Sequence, residues 1–275
     1  MSNSVCIYAY YEKNRQYRKN LEYFLAHGLN DASDFVIVVN GACSASLPQR
    51  ANLTVLRRDN EGYDFGAWAH ALGSLKRHYD YYIFINSSVR GPHRLRGRPA
   101  SAWQQELLSL LRGDVKLAGT TINICRLTLP LLEAEGFSPP YSHVQSQVFA
   151  MDRECLDFVR DAVFGPTLSP LAFTDMIQLK EVGMSQRVLR RGWNIDCLLP
   201  RYRGLDYRRV AGDINPSSKG GDPGFFGAYF GATFEPTDVM FVKTNRNLWL
   251  RHVYLLVLCT IIVSFLALLV RQFIS

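Results

Sequence analysis

No two of the six cysteines form a C-x-x-C pair; they stand alone at positions 6, 43, 125, 155, 197 and 259. That spacing excludes the common zinc-ligand patterns. Several of these cysteines sit inside apolar runs, where the residue behaves as a small hydrophobe, so reduced core thiols in a cytosolic compartment are expected. An internal repeat is also missing. No signal peptide is expected, because Val5-Cys6-Ile7-Tyr8-Ala9-Tyr10 already reads as a strand. The net charge of +7 comes without any nucleic-acid recognition motif. Basic residues cluster at Arg90 to Arg98, Arg187 to Arg191 and Arg201 to Arg209 rather than along one amphipathic face. No nucleic-acid partner is expected. A diphosphate ligand or anionic lipid head groups account for the surplus equally well.

What is present is a globular composition, 48% hydrophobic and 20% charged, with enough chain for one sizeable core. One long apolar run stands out. Val253 to Val270 carries no charge and is bounded by Arg251 and Arg271. A helix of about 20 apolar residues crosses a bilayer core, and this run lacks the polar face of a buried helix. It predicts a single C-terminal anchor, spanning about 252–270, with Trp249 and Tyr254 in the interfacial belt. Lys243, Arg246 and Arg251 precede it and Arg271 follows, so the positive-inside rule places the large domain in the cytoplasm. The expected division is a domain over 1–242 and a juxtamembrane segment with anchor over 243–275.

Within the domain, strand-like and helix-like patterns alternate. Val5 to Tyr10, Asp34 to Asn40, Leu53 to Arg57 and Tyr81 to Asn86 read as strands, and helices are expected over Arg15–His27 and Ala67–His78. The continuous apolar run Asp34–Asn40 predicts a strand buried on both faces, and the strand–helix–strand alternation predicts a largely parallel α/β sheet with ligands at the carboxyl ends of its strands. Further on, Ser101 is expected to cap a helix through Leu111, Val115–Ile124 to form one strand, and Thr128–Tyr141 an excursion. Gln147–Met151 reads as a strand, Asp152 as a helix start, Pro170–Arg191 as mainly helical and Trp193–Leu198 as a strand. Glycine and proline are dense from Arg201 to Pro236, which predicts irregular backbone.

The most informative stretch is Asn60-Glu61-Gly62-Tyr63-Asp64-Phe65-Gly66-Ala67-Trp68. Gly62 permits a tight turn, Gly66 permits close backbone approach, and Asp64 sits where a carboxylate caps a helix or holds a ligand. Local chemistry leaves those two roles open. The string resembles the Asn-x-Gly-x-Asp-Phe-Gly-x-Trp signature of the rhamnan-synthesis F family and related GT-A-fold sugar transferases. The resemblance implies a GT-A-like, Rossmann-like fold, a mostly parallel sheet flanked by helices, and places Asp64 near the base or ribose of a nucleotide-sugar donor. Donor-binding residues expected on this reading are Tyr10, Asn40, Asn60, Gly62, Asp64, Asn86, Ser88 and Arg90.

A second segment, Lys180-Glu181-Val182-Gly183-Met184-Ser185-Gln186-Arg187 through Gly192-Trp193, resembles the helix of inverting GT-A transferases that carries an acidic pair. Glu181 falls on the second acid, which implies a general base; Lys180 departs from the pattern at the first. A base is needed because a sugar hydroxyl is a poor nucleophile until its proton is removed. His143 and Gln145, ahead of the strand near the acceptor in related enzymes, are the expected acceptor contacts.

The matching strand of GT-A enzymes ends in Asp-x-Asp, which holds a divalent cation. This chain has Asn86-Ser87-Ser88. Mg²⁺ and Mn²⁺ favour carboxylates, so no metal ligand is assigned and no cofactor is certain; a divalent cation fits the family but not these residues. Arginines at 90, 94, 96 and 98 offer forked phosphate contacts instead, and a solvated or lipid-facing charge run is the equal alternative. The implied function is sugar transfer from a nucleotide-sugar donor to a glycan or lipid-linked acceptor at a membrane. The alternative is a catalytically inactive, tail-anchored binding or scaffold protein that keeps the fold.

Overall fold

The computed structural model describes residues 3–97, 103–166 and 170–246. Among these, no helix is long and apolar enough to cross a membrane. The expected anchor at 252–270, Arg98 and the Ser101 cap lie outside the described residues.

Eleven strands are described. They are β1 (Ser4–Tyr10), β2 (Asp34–Asn40), β3 (Leu53–Arg58), β4 (Tyr81–Asn86), β5 (Val89–Arg90), β6 (Val115–Gly119), β7 (Ile122–Cys125), β8 (Tyr141–Val144), β9 (Val148–Asp152), β10 (Asn194–Cys197) and β11 (Val242–Lys243). Seven form the central sheet in the order β10-β6-β9-β4-β1-β2-β3. β1 pairs in parallel with β2 and β4, β2 with β3, and β6 with β10; β9 alone runs antiparallel, between β4 and β6. All seven residues of β1 are buried, as a strand covered on both faces requires. Two ribbons, β5–β11 and β7–β8, flank the sheet. The stretch expected as one strand over 115–124 is therefore two. The chain leaves the central sheet after Gly119, where a Cβ would lie 2.4 Å from Val144 Cγ1, and re-forms as β7 against β8.

The helices are α1 (Arg15–His27), α2 (Tyr63–Ser74), α3 (Trp103–Leu108), α4 (Pro130–Ala134), α5 (Arg153–Val159), α6 (Phe173–Met176), α7 (Gly183–Arg190) and α8 (Pro236–Val239). Two start as their sequences direct: Asn14 accepts from the backbone of Gln16 and Tyr17, and Asp152 from Cys155. One apolar cluster packs α2, α5 and α7 on one face of the sheet. A second packs α1 and α3 on the other. Trp68 is fully buried among Phe65, Phe84 and Phe149, and its indole N–H donates to the Ile85 carbonyl at 3.3 Å. Burying such a ring is worth about 2–3 kcal/mol, and here it fixes α2 across β4.

Folded structure continues through the 242/243 division. β11 pairs antiparallel with β5, so that Lys243 opposes Val89. The Thr244 N–H then donates to the Ser88 carbonyl at 2.9 Å, and Arg246 pairs with Asp222.

Candidate active site

The parallel strands β1 to β4 end on one edge, and their last residues are stitched together there. The Gly41 N–H donates to the Arg58 carbonyl at 2.8 Å, the Asn40 amide to the Tyr63 carbonyl at 3.4 Å, and the Tyr11 N–H to Ser87 Oγ at 3.3 Å. Helix α2 begins at Tyr63, four residues before the sequence pattern suggested, because Gly62 and Tyr63 both take the left-handed conformation (φ 66° and 55°). Glycine adopts it freely, whereas for tyrosine it is strained, a feature that clusters at functional sites. Gly66 is needed for a separate reason. A Cβ there would lie 2.2 Å from the Glu61 carbonyl oxygen.

This turn aims Asp64 away from the helix cap, which has no side-chain hydrogen bond, and toward Asn86. Desolvation raises the Asp64 carboxyl to about 6, with Glu181 adding to the rise; the Asn86 amide and the Lys243 ammonium oppose it. Tyr8 and Tyr17 also sense its charge. Tyr8 is 1% exposed, and its hydroxyl has no hydrogen-bond partner among the described residues.

Glu181 comes from the other half of the chain, on a π-type segment (Ile177–Val182) between α6 and α7. Such widened turns are frequent at functional sites, because the extra residue re-aims a side chain. One Glu181 oxygen accepts from the Ser146 hydroxyl, and the other lies 3.8 Å from His143 Nε2. His143 Nδ1 is 2.9 Å from the Tyr141 carbonyl. A carbonyl only accepts, so Nδ1 carries the hydrogen and Nε2 is free to take a proton. Lys180, the departure from the acidic pair, is buried and donates to the Val163 and Gly165 carbonyls at 2.8 and 3.3 Å. Its ammonium closes the carbonyl end of a neighbouring helical turn, Arg160–Phe164.

The third side is the C-terminal stretch, which the sequence did not mark. Lys243 interacts electrostatically with Glu181, Arg246, Asp222 and Asp64, and burial pulls its pKa down. Asp222 is 6% exposed, pairs with Arg246 and accepts from the Gln145 amide at 3.1 Å. Gln145 in turn accepts from Thr121 Oγ1 at 2.7 Å. A small cavity runs between Gln145, Gln147, Asp222, Gly224, Lys243 and Arg246.

The expected residues therefore divide. Asp64 adjoins Asn86, Glu181 adjoins His143, and the two carboxylates lie within electrostatic reach of each other, with Gln145 behind Asp222. Ser88 supports Asn86, its N–H and hydroxyl donating to Asn86 Oδ1 at 3.0 and 2.6 Å. Asn60 and Gly62 instead line a wider cleft of about 860 Å³ with Arg58, Lys180 and Pro166. Asn40 is held in a clasp, accepting from Arg58 at 3.1 Å. The Tyr10 hydroxyl is bound to Glu12 at 2.8 Å. Arg90, the expected phosphate contact, stacks over the Tyr23 ring at 4.5 Å on the α1 side. Among the described residues, no three His, Cys, Asp or Glu side chains group closely enough to hold a metal ion. The residues missed from the sequence are Ser146, Asp222, Lys243 and Arg246.

No protein-family profile matches the chain, and no curated protein does. Solved structures similar to it include a mannosyltransferase from Pyrobaculum calidifontis in complex with GDP-Man and Mn²⁺. The match has 12% identity and a TM-score of 0.42, covering 71% of this chain and 54% of that one. TarS residues 1–349 from S. aureus are similar at 10% identity and a TM-score of 0.40, covering 68% and 55%. Glucosyl-3-phosphoglycerate synthase from Mycobacterium tuberculosis, in complex with Mn²⁺, UDP-Glc and phosphoglyceric acid, is similar at 15% identity and a TM-score of 0.37, covering 57% and 59%. The matched region is thus little more than half the length of each.

Proposed function

We propose that the chain is a GT-A-like glycosyltransferase that moves a sugar from a nucleotide-sugar donor to an acceptor hydroxyl. The observation that carries this reading is the meeting of Asp64 and Glu181, each within electrostatic reach of the other and of Lys243. The two come from separate sequence segments that resemble the donor and base segments of such enzymes. In the reaction, the acceptor oxygen forms a bond to the anomeric carbon and its proton passes to the Glu181 carboxylate. The bond from that carbon to the donor phosphate breaks, and the nucleoside diphosphate leaves with the electron pair. Attack from the face opposite the leaving group inverts the anomeric centre. Ser146 orients Glu181, and the open Nε2 of His143 offers a place to pass the proton on. Asp64 binds the nucleoside part of the donor.

The charge-free run over 253–270 supports an anchor that holds the enzyme, cytoplasmic face inward, near a glycan or lipid-linked acceptor. Anchoring raises the local concentration of such an acceptor. An inactive scaffold is favoured by one feature, Asn86-Ser87-Ser88 in place of Asp-x-Asp. Incubating the full chain with UDP-, GDP- and dTDP-sugars, and following nucleotide release with and without lipid-linked glycan, separates the two. Turnover of one donor supports the enzyme. Donor binding without turnover of any donor supports the scaffold.

A further inference from the structure

The Asn86–Ser88 turn is a poor cation site for reasons beyond its lack of carboxylates. Asn86 Oδ1, the best remaining ligand atom, accepts from the Ser88 N–H and hydroxyl. Ser87 Oγ is taken up by the Tyr11 backbone at 3.3 Å. Asp222, the nearby carboxylate on the C-terminal stretch, is occupied by Arg246 and Gln145. Mg²⁺ requires near-octahedral oxygen ligation, usually with one or two carboxylates, and this turn offers none free. Asp64 adjoins Asn86, but among the described residues it has no two further His, Cys, Asp or Glu side chains grouped with it, so the residues present do not fit a metal.

They do hold a cation of another kind. The Ser88 carbonyl accepts from both the Thr244 N–H (2.9 Å) and its hydroxyl (3.1 Å). The Asn20 amide bridges the Ser87 carbonyl (3.0 Å) and Thr244 Oγ1 (2.8 Å). With Lys243 opposite Val89 across the β5–β11 ribbon, these bonds pin residues 243 and 244 against the turn. Lys243 lines the small cavity with Arg246, Asp222, Gln145 and Gln147, within electrostatic reach of Glu181 and Asp64.

We infer that Lys243 takes the place of a metal ion in holding the donor diphosphate, with Arg246 as the second cation beside it. The inference rests on the nucleotide-sugar reading above. An ammonium with three donors, fixed by its backbone and partly desolvated, neutralises phosphate charge without ligand exchange, and its attraction is strengthened where water is scarce. Without these two cations, a diphosphate would face the Asp64 and Glu181 carboxylates alone. The same charge would stay behind to stabilise the departing nucleoside diphosphate.

The test is calorimetric titration of the full chain with UDP, GDP, dTDP and the matching nucleosides, first in EDTA and then with Mn²⁺. At least one nucleoside diphosphate should bind in EDTA, with an affinity that Mn²⁺ leaves essentially unchanged. Lys243→Met should lose about tenfold or more of that affinity, the effect of removing a charge-assisted contact, and leave nucleoside binding as in wild type. Lys243→Arg should keep most of it. Wild-type diphosphate affinity in Lys243→Met, or diphosphate binding that requires Mn²⁺, overturns the inference and leaves the glycosyltransferase reading standing. If no nucleotide binds wild type in either condition, both fall. Should Lys243→Met melt as an unfolded chain, the wild-type comparison in EDTA and Mn²⁺ decides alone.

Discussion

The two sides of the cleft are built in different ways. On one, the ends of β1 to β4 are neighbours in a parallel sheet, and Asp64 and Asn86 inherit their positions from its hydrogen bonding. On the other, residues 242–246 form a two-residue strand held by the Thr244 and Asn20 bonds and the Arg246–Asp222 pair. The first side is made by the fold itself. The second is a clasp laid over it, and Glu181 sits where they meet. A site built this way takes its carboxylates from the fold and its cations from the clasp.

The largest effect should come from that meeting point. Glu181→Gln keeps the size and the hydrogen bond from Ser146 but cannot accept a proton. Its kcat should fall by about 10²–10⁴-fold, with donor affinity and Tm nearly unchanged. Wild-type turnover in this variant would remove Glu181 from the mechanism. Gly66→Ala probes the sheet-built side next. Its Cβ would collide with the Glu61 backbone carbonyl, which no rotamer change relieves. A loss of about 3 kcal/mol in urea unfolding is expected, the upper end of overpacking costs. A loss under about 0.5 kcal/mol, the level of a surface change, would show that the α2 turn yields easily.

Asp64→Asn should move stability the other way. Its carboxyl titrates near 6 in the fold against an ordinary 3.8, chiefly through desolvation, and the surrounding groups are Asn86, Lys243, Glu181, Tyr8 and Tyr17. Well below the ordinary 3.8 the group is neutral both folded and unfolded, so it costs nothing. As pH rises through 6, the unfolded chain releases the proton before the folded one, and stability is lost. The neutral amide escapes that loss. The ligand-free variant should therefore be more stable than wild type by about 2 kcal/mol at pH 7, with the gap closing near pH 4. Donor binding should weaken at the same time. A constant gap across that pH range would mean that the carboxylate is not desolvated.

Much of the sheet-built side was legible in the chain. Apolar runs of strand length are buried on both faces, and helical periodicity between them forces crossovers, so β1, β2, β4 and α1 followed directly. The largely exposed edge strand β3 followed from its place in the alternation. The glycines of the Asn60–Trp68 stretch and its Asp64 marked the turn. Glu181 was found by its distance from Gly192, but the π-type widening that aims it leaves no pattern in residue types. The clasp was illegible for a physical reason. Lys243 and Arg246 look like any charges flanking an apolar run, and two residues are too few for a strand period. Their partners, Val89 and Asp222, are far away in sequence or lie in irregular backbone. The separation of β6 from β7 was hidden likewise, since apolar residues continue across the break at Gly119.

Arg90 gives the smallest effect and the sharpest check on where the phosphate cations lie. By residue type it is the natural phosphate ligand of the Asn86–Arg90 segment, directly after the turn. Its guanidinium, however, lies over the Tyr23 ring of α1 and near His93 rather than toward Asp64. Arg90→Ala should therefore cost about 0.5–1 kcal/mol of stability, the worth of an exposed cation–π contact. Nucleoside diphosphate affinity should stay within about twofold of wild type, well under the tenfold that a phosphate contact carries. A titration in which Arg90→Ala loses as much diphosphate affinity as Lys243→Met would show that Arg90 swings from Tyr23 to the ligand. The ribbon would then supply cations from both of its strands, and the division between sheet-built and clasp sides would not hold for the phosphates.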